Sequence, residues 1–536
     1  MSTQNTQPQQ AAATAATDGA VASAAGATAA TEAASSATPP VTSAEIRMVY
    51  FGLMVVMGLG ALDQSIVATA LPRIVSDLGG ITHLSWVVTS YVLASTSTMP
   101  LYGKLSDQYG RKPLLYVAII TFLVGSVLCG MAQNLTQLII FRAIQGLGAG
   151  GFLPLTQIII GDLVPVAQRG RRQGSIAAVF AACSVVGPLL GGVITDLLSW
   201  HWIFYVNLPF GAAALAIITK AMRRPHHNHA HKIDYLGSVL LTGCTTSFLL
   251  VLALGGSEWA WDSPQVTGVS LLAVVLGIIL VRHVRRVPEP VLPLDLFNNR
   301  VFLVASVVMA LTFMGMLGAS VFFPLFFQVV MGVSPAHSGF LTGPLMIGVV
   351  ISAFVNGRVM MRSGRYKPAQ VAGLSMALLA FAVLAWGIET AQGFGVIEPA
   401  IFLLGLGLGL IMPNMTIAVQ NGLAATRRGV GTAMLAFFRS LGGLIGVTGS
   451  GAILARQLHM NSGNGRGALA EMGMQSIAAL SPQAQLHAIA VYRHAIAINF
   501  MAGVVIIAVA LVVLLFLPEL PLAGHPANAP KPGAAS

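Results

Sequence analysis

Charge is what this 536-residue chain lacks most: Lys, Arg, Asp and Glu together make up 8% of it, against roughly 25% in a soluble domain. A water-facing surface cannot be built from so few charges, which excludes a soluble enzyme. There are only three cysteines, Cys129, Cys183 and Cys244, and all sit in apolar runs. That argues against a disulfide framework or a thiolate metal site and for plain packing residues. No Gly-x-x-x-x-Gly-Lys-Ser/Thr phosphate loop occurs, which disfavours an ATP-driven pump. No basic run is interleaved with aromatics, so nucleic acid is not an expected partner. Residues 1–44 contain no Lys or Arg and no compact apolar stretch, unlike a signal peptide. They read as a disordered cytoplasmic tail, as do residues 521–536.

What is abundant is apolar. Residues of the AVILMFWYC set reach 55%, glycines number 58 and the mean hydropathy is +0.80. A folded core cannot hide that fraction from water, so the solvent is a bilayer, whose hydrocarbon needs about 20 residues per helical span. Apolar runs predict fourteen helices, at 48–70, 84–103, 114–132, 136–158, 175–196, 202–220, 235–255, 266–282, 301–327, 338–358, 369–388, 397–418, 430–453 and 496–517. With both termini inside, only Arg73, Arg456, Arg466 and Arg493 among the 28 Lys and Arg fall outside, and Arg142 and Arg439 fall within spans. The rest lie on the inner side, as the positive-inside rule requires of a plasma (inner) membrane protein with cytoplasmic termini. The net charge of +11 is therefore mostly a topology signal. A short surface helix is expected around 476–490, within the long outer loop.

The chain also resembles itself. Gly103-Lys-Leu-Ser-Asp-Gln-Tyr-Gly110-Arg111 recurs as Gly357-Arg-Val-Met-Met-Arg-Ser-Gly364-Arg365, and Gly146-Leu-Gly-Ala-Gly150 recurs as Gly405-Leu-Gly-Leu-Gly409. Two parallel six-helix halves follow, with an inserted helix pair between them. The expected division is an N-terminal bundle at 45–222, a linker with two inserted helices at 223–297 and a C-terminal bundle at 298–520.

Four motifs carry a family resemblance. Gly103 to Pro113, with Asp107, Gly110 and Arg111, is similar to motif A of the major facilitator superfamily. Leu62-Asp63 through Pro72, Arg142-Ala-Ile-Gln145-Gly146, and Gly187-Pro188-Leu-Leu-Gly191-Gly192 resemble motifs of its drug:proton antiporters. With fourteen spans the set resembles the EmrB/QacA type of multidrug exporter, over about residues 47–520. The resemblance implies an all-α polytopic membrane protein of major facilitator fold, with two six-helix bundles plus two extra helices. It also implies transport without a catalytic residue, metal or cofactor, driven by the proton gradient and exporting drug-like small molecules, with antibiotic resistance as the outcome. For the EmrB subset it further implies a periplasmic adaptor protein and an outer-membrane channel as partners. Motif A in the family latches one conformation, Asp107 pairing with Arg111 and a neighbouring helix end. The second copy has Met361 where Asp107 stands and cannot form that pair.

Physical chemistry singles out the same residues. Asp63 is the one carboxylate deep in the first span, where a charge costs roughly 2.5–3.5 kcal/mol. Desolvation favours its neutral form and an approaching cation its ionised form, a competition that suits exchange of a proton for a cationic or neutral amphipathic drug. Arg142 shares one helical face with Gln145, Thr156 and Gln157, so that face is expected to line a cavity. Arg439 in span 13 is its counterpart by location and serves binding or packing. Gly187, Pro188, Gly191 and Gly192 let the fifth helix bend and approach a neighbour, and with Leu444 at the aligned position the second half is expected to lack them. Trp200 and Trp202 read as an interface belt, next to His201 where the family usually has Arg. The cluster His226, His227, His229 and His231 reads as a solvated loop and not a metal site. A rival reading is a dedicated exporter of one metabolite, antibiotic or fatty-acid-like compound. Less favoured are a passive channel or a membrane sensor.

Overall fold

The computed structural model describes residues 43–78, 84–164, 166–222, 234–256, 259–333, 335–461 and 481–520. The histidine cluster at 226–231 and almost all of both tails lie outside the described residues. The described chain is helical throughout: α1 Ser43–Leu78, α2 Leu84–Tyr109, α3 Arg111–Gly130, α4 Leu135–Ala149, α5 Phe152–Leu163, α6 Val166–Leu197, α7 Trp202–Tyr205 and α8 Asn207–Ala221. There follow α9 Tyr235–Leu254, α10 Pro264–Val284, α11 Arg300–Leu325, α12 Pro335–Leu341, α13 Gly343–Ser363, α14 Lys367–Glu389, α15 Phe394–Gly422, α16 Arg428–Asn461 and α17 Pro482–Leu515. Starts are set by local chemistry. Asn134 and Asn299 accept the first free amides of α4 and α11, Ser263 does so for α10, and Pro264 and Pro482 fill first-turn positions whose amides need no partner.

Among the described residues, 13 helical stretches are long and apolar enough to cross a membrane. The fourteenth expected span, α2, is 26 residues long but falls short in hydropathy. It is packed between α4, α9 and α16, which explains how it tolerates polar side chains: Ser90, Ser95, Thr96, Ser97 and Thr98 are all buried. The span expected at 136–158 is two helices, α4 and α5, joined at Gly150–Gly151. The surface helix expected around 476–490 is, over its described part, the first turns of α17. Outer faces are apolar. Leu271, Leu272 and Val274 on α10 and Val505, Val509 and Val512 on α17 are exposed, a surface that only lipid solvates.

The repeat seen in the sequence reappears as repeated packing. A Cβ on Gly146 of α4, or on Gly150 just after it, would collide with the carbonyls of Tyr91 or Ser95 on α2. A Cβ on Gly405 or Gly409 of α15 would meet Leu345 or Val349 on α13 in the same way. Gly148 abuts Ala118 and Phe122, and Gly407 abuts Gly373 and Ala377. The contacts thus recur pair by pair. Gly110 and Gly364, which close the two copies of the loop motif, both have positive φ, 91° and 64°, a conformation that costs other residues energy.

One expectation is corrected here. The glycines of the fifth span do have counterparts, at Gly442 and Gly446: Gly187 and Gly191 face Ser65 and Ile66 on α1, while Gly442 and Gly446 face the carbonyls of Ala310 and Met314 on α11. Aligning Leu444 with Pro188 hid this by one residue. Pro188 and Gly192 are special to the first half, Gly443 and Val447 standing at the matching positions, and Gly192 has no atom within 4 Å of where its Cβ would be.

The two sets of six passes meet along α2 with α16 and along α6 with α13. The inserted hairpin α9–α10 sits over the first seam. Ser97 of α2 bonds Thr246 of α9 at 2.9 Å, and Thr448 of α16 donates to the Leu252 carbonyl at 2.8 Å. The hairpin is tied at its base by Asp234, which accepts from the Gly237 and Val291 amides and meets His283 Nε2 at 2.6 Å.

Candidate functional site

Asp63 lies on α1 with its side chain fully enclosed, and five helices converge on it. Its Oδ2 is 2.7 Å from Arg142 Nη1 of α4. Its Oδ1 accepts from Gln145 Nε2 and from Asn207 Nδ2 of α8, each at 2.8 Å. Ser126 Oγ of α3 bridges the same two amides at 2.7 and 3.1 Å. Arg142 also donates to Gln145 Oε1 at 2.6 Å and to the Val87 carbonyl at 3.2 Å, and its guanidinium lies 4.2 Å from the centroid of the Tyr91 ring. The approach of α3 to α4 depends on Gly125, whose Cβ would lie 2.5 Å from the Gln145 backbone. Asp63 thus has an ion-pair or hydrogen-bond partner at both carboxylate oxygens.

The sequence singled out Asp63, Arg142 and Gln145 but not their mutual contact, and it gave no role to Ser126, Asn207 or Tyr91. The available signal was a polar residue at the start of an otherwise apolar helix, as Asn207 is. The expectation that the Arg142 face lines a cavity holds only at its far end. Arg142 is 1% exposed and Thr156 is buried, whereas Gln157 faces open space. The reason is the set of partners that hold Arg142 behind the wall: Asp63, Gln145 and the Val87 carbonyl. Trp200 is likewise no belt residue: it is buried, its ring stacked on His201 at 3.7 Å, and only Trp202 is exposed.

The open space is a pair of adjoining cavities of about 340 and 470 Å³ between the two sets of helices. Gln64, Leu153, Phe180, Phe313, Leu317 and Arg439 line both. The rest of the wall is largely methionine and aliphatic, including Met309, Met316, Met346 and Met412. Three consecutive residues of α1 thus face three ways, as a helix turning 100° per residue dictates. Asp63 enters the buried network, Gln64 faces the cavity, and Ser65 Oγ donates to the Cys183 carbonyl of α6 at 3.0 Å.

At one end of the bundle the motif A loop closes the space. Asp107 pairs with Arg111 at 2.5 Å and accepts from the Val430 amide of α16 at 3.0 Å. Arg111 reaches Asp162 at 3.0 Å and Ser106 at 3.3 Å. Gly103 and Gly429 leave no room for a Cβ against Ala433 and Asp107, so the two half-bundles are in direct contact there. Lys112 donates to the Met222 carbonyl. Gln420 Nε2 donating to the Gln157 carbonyl at 3.0 Å seals the floor. The second cavity runs the other way, to Val88 and Val447, the latter about 26 Å along α16 from Val430 at 1.5 Å per residue. The structure thus has the motif A end closed by these contacts and the cavity directed to the opposite end. Among the described residues no group of His, Cys, Asp and Glu could hold a metal ion.

Comparison with known proteins fits this arrangement. The family model of the Major Facilitator Superfamily matches residues 53–447. The chain is 38% identical over 404 residues to the multidrug transporter protein MdtP of Bacillus subtilis, covering 75% of this chain and 74% of that one. It is 36% identical over 417 residues to multidrug resistance protein 3 of the same organism, covering 78% and 81%. The solved proton:xylose symporter XylE superposes with a TM-score of 0.58 at 14% identity, over 89% of this chain and 97% of that one, which speaks for the fold alone. Two helix sets around a shared cavity, in contact at the motif A end, and relatives of this kind lead to one conclusion: the chain belongs to the major facilitator superfamily and is a multi-pass membrane efflux transporter, not an enzyme.

Proposed function

We propose that the protein exports amphipathic, drug-like compounds in exchange for protons, by alternating access of the central cavity. The observation that carries this reading is the Asp63 network. A carboxylate held by Arg142, Gln145 and Asn207 cannot accept a proton without loosening the contacts that tie α1 to α4 and α8. Because Gln64 and Ser65 sit on the same turn, the loosening is felt at the cavity wall and at the α1–α6 contact. Protonation and a change of helix packing are therefore one event, which is what coupling requires. Asp63 is the proton carrier in this reading, Arg142 its counter-charge, and the Asp107–Arg111–Val430 latch holds the conformation shut at the cytoplasmic end. The distribution of Lys and Arg supports plasma-membrane placement with both termini in the cytoplasm.

A wall dominated by methionine and aliphatic side chains favours breadth over a single ligand, since it can re-pack around different shapes. The names of the two Bacillus relatives support multidrug export, whereas a dedicated exporter would show one compound far above all others in resistance profiling. The proposal includes the periplasmic adaptor and outer-membrane channel that the EmrB resemblance implies, to be sought by cross-linking in cells.

The test is transport in proteoliposomes under an imposed pH gradient. Wild type should drive dye movement that collapses when the gradient is discharged, and Asp63→Asn should retain dye binding but lose gradient-driven transport. Gradient-driven transport by Asp63→Asn at the wild-type rate would rule out the proton role.

A further inference from the structure

Two arginines lie within the membrane-spanning helices, and they are provided for in opposite ways. Arg142 has a carboxylate, a carbonyl, an amide oxygen and an aromatic face. Arg439 on α16 has, among the described residues, no ion pair and no hydrogen bond. Its one recorded partner is the Phe313 ring, 5.0 Å from the guanidinium carbon to the centroid. Arg439 lines both cavities, at the place where they adjoin, and no Asp or Glu lines either. Asp63 gives no relief, since its carboxylate is spent on Arg142 behind the wall.

An unpaired cation facing a largely apolar chamber is expensive to keep unless something in its working cycle compensates it. The cation–π contact with Phe313 uses none of the guanidinium N–H groups, which leaves them available to an acceptor. The fork geometry of those groups matches a carboxylate or sulfonate in a two-point contact. Polar wall residues that can orient the rest of a ligand, Gln64, Gln157 and Thr416, are neutral.

We infer that the central cavity is built for amphipathic organic anions: Arg439 takes the acidic headgroup, Phe313 holds the guanidinium in place, and the methionine-rich wall takes the apolar body. This rests on the export reading above and sharpens its substrate class, replacing the cationic or neutral substrates expected from the sequence. A cationic amphiphile of the same shape meets Arg439 as a like charge with no acid to offset it.

The experiment uses the full-length protein in detergent and two dyes that share a xanthene ring system, anionic fluorescein and cationic rhodamine 6G, titrated by fluorescence anisotropy. Wild type should bind fluorescein about tenfold or more tighter than rhodamine 6G, the factor one charge-assisted contact supplies. Arg439→Gln should weaken fluorescein by about tenfold and leave rhodamine 6G unchanged or tighter. Arg439→Lys should keep the anion preference in weaker form. Tighter binding of rhodamine 6G by wild type, failure of wild type to bind fluorescein, or unchanged fluorescein affinity in an Arg439→Gln protein with wild-type melting temperature would each overturn the inference. If Arg439→Gln does not fold, the wild-type dye preference and Arg439→Lys decide. Dye efflux from cells is scored separately. Efflux of rhodamine 6G with no anion preference in binding would sink the anion site and leave export standing. An anion preference in binding with no efflux of either dye would do the reverse.

Discussion

The two halves of this transporter share a scaffold and differ in where they put charge. Their glycine contacts recur pair by pair, α4 on α2 and α15 on α13, and their loop glycines both have positive φ. The first half adds acids to that scaffold. Asp63 neutralises Arg142 behind the cavity wall, and Asp107 ties its own loop to the start of α16. The second half has Met361 where Asp107 stands, and its membrane arginine, Arg439, faces the cavity without an acid. Duplication therefore preserved helix packing, which depends on backbone approach, while the charges diverged into a closed pair on one side and an open cation on the other.

The contrast can be broken most severely at Arg142. Arg142→Ala leaves Asp63 enclosed with only neutral donors and should destabilise the protein by about 3–5 kcal/mol, read from unfolding in detergent. The double variant Asp63→Asn/Arg142→Gln should lose clearly less than the two single changes added together. Full additivity would mean the two groups do not act as a pair.

The shared scaffold makes a smaller, directional prediction. Gly442→Ala meets the Ala310 backbone carbonyl, which cannot move aside, and should cost about 1–3 kcal/mol. Gly187→Ala meets the Ser65 side chain, which can rotate away, and should cost less. Equal melting temperatures for the two variants would show that the seams are not as unequal as their contacts.

The smallest effect on stability and the more specific effect on function are expected at the latch. Asp107→Ala removes the acceptor of the Val430 amide and the partner of Arg111. It should lower the transport rate about tenfold, the factor a conformational bias of a single charged contact yields, while the dissociation constant for dye stays within about twofold. A parallel loss of dye affinity would move Asp107 from conformational control to binding.

Much of this was readable in one dimension because it depends on local properties. Span positions follow from apolar length, and the repeat follows from glycines at fixed spacing. Asp63, Arg142 and Arg439 stood out because charge is so scarce. Where reading failed, a neighbour from elsewhere in the chain decided the outcome. The span read at 84–103 is present as α2, but how it tolerates its polar residues was not legible: α4, α9 and α16 cover them. Arg142 left the cavity wall because Asp63, Gln145 and the Val87 carbonyl hold it behind that wall. Trp200 left the membrane belt because His201 and Phe204 enclose it.

By itself, then, the sequence determined that this is a polytopic bilayer protein of two repeated halves, because solvation by lipid and close helix approach write themselves into composition and spacing. Which buried charge finds a partner was decided only in the tertiary structure. Asp63 and Arg142 are 79 residues apart, and Arg439 is left open by what does not reach it. Pairing depends on which side chains converge across helices in space, and no local pattern records that convergence.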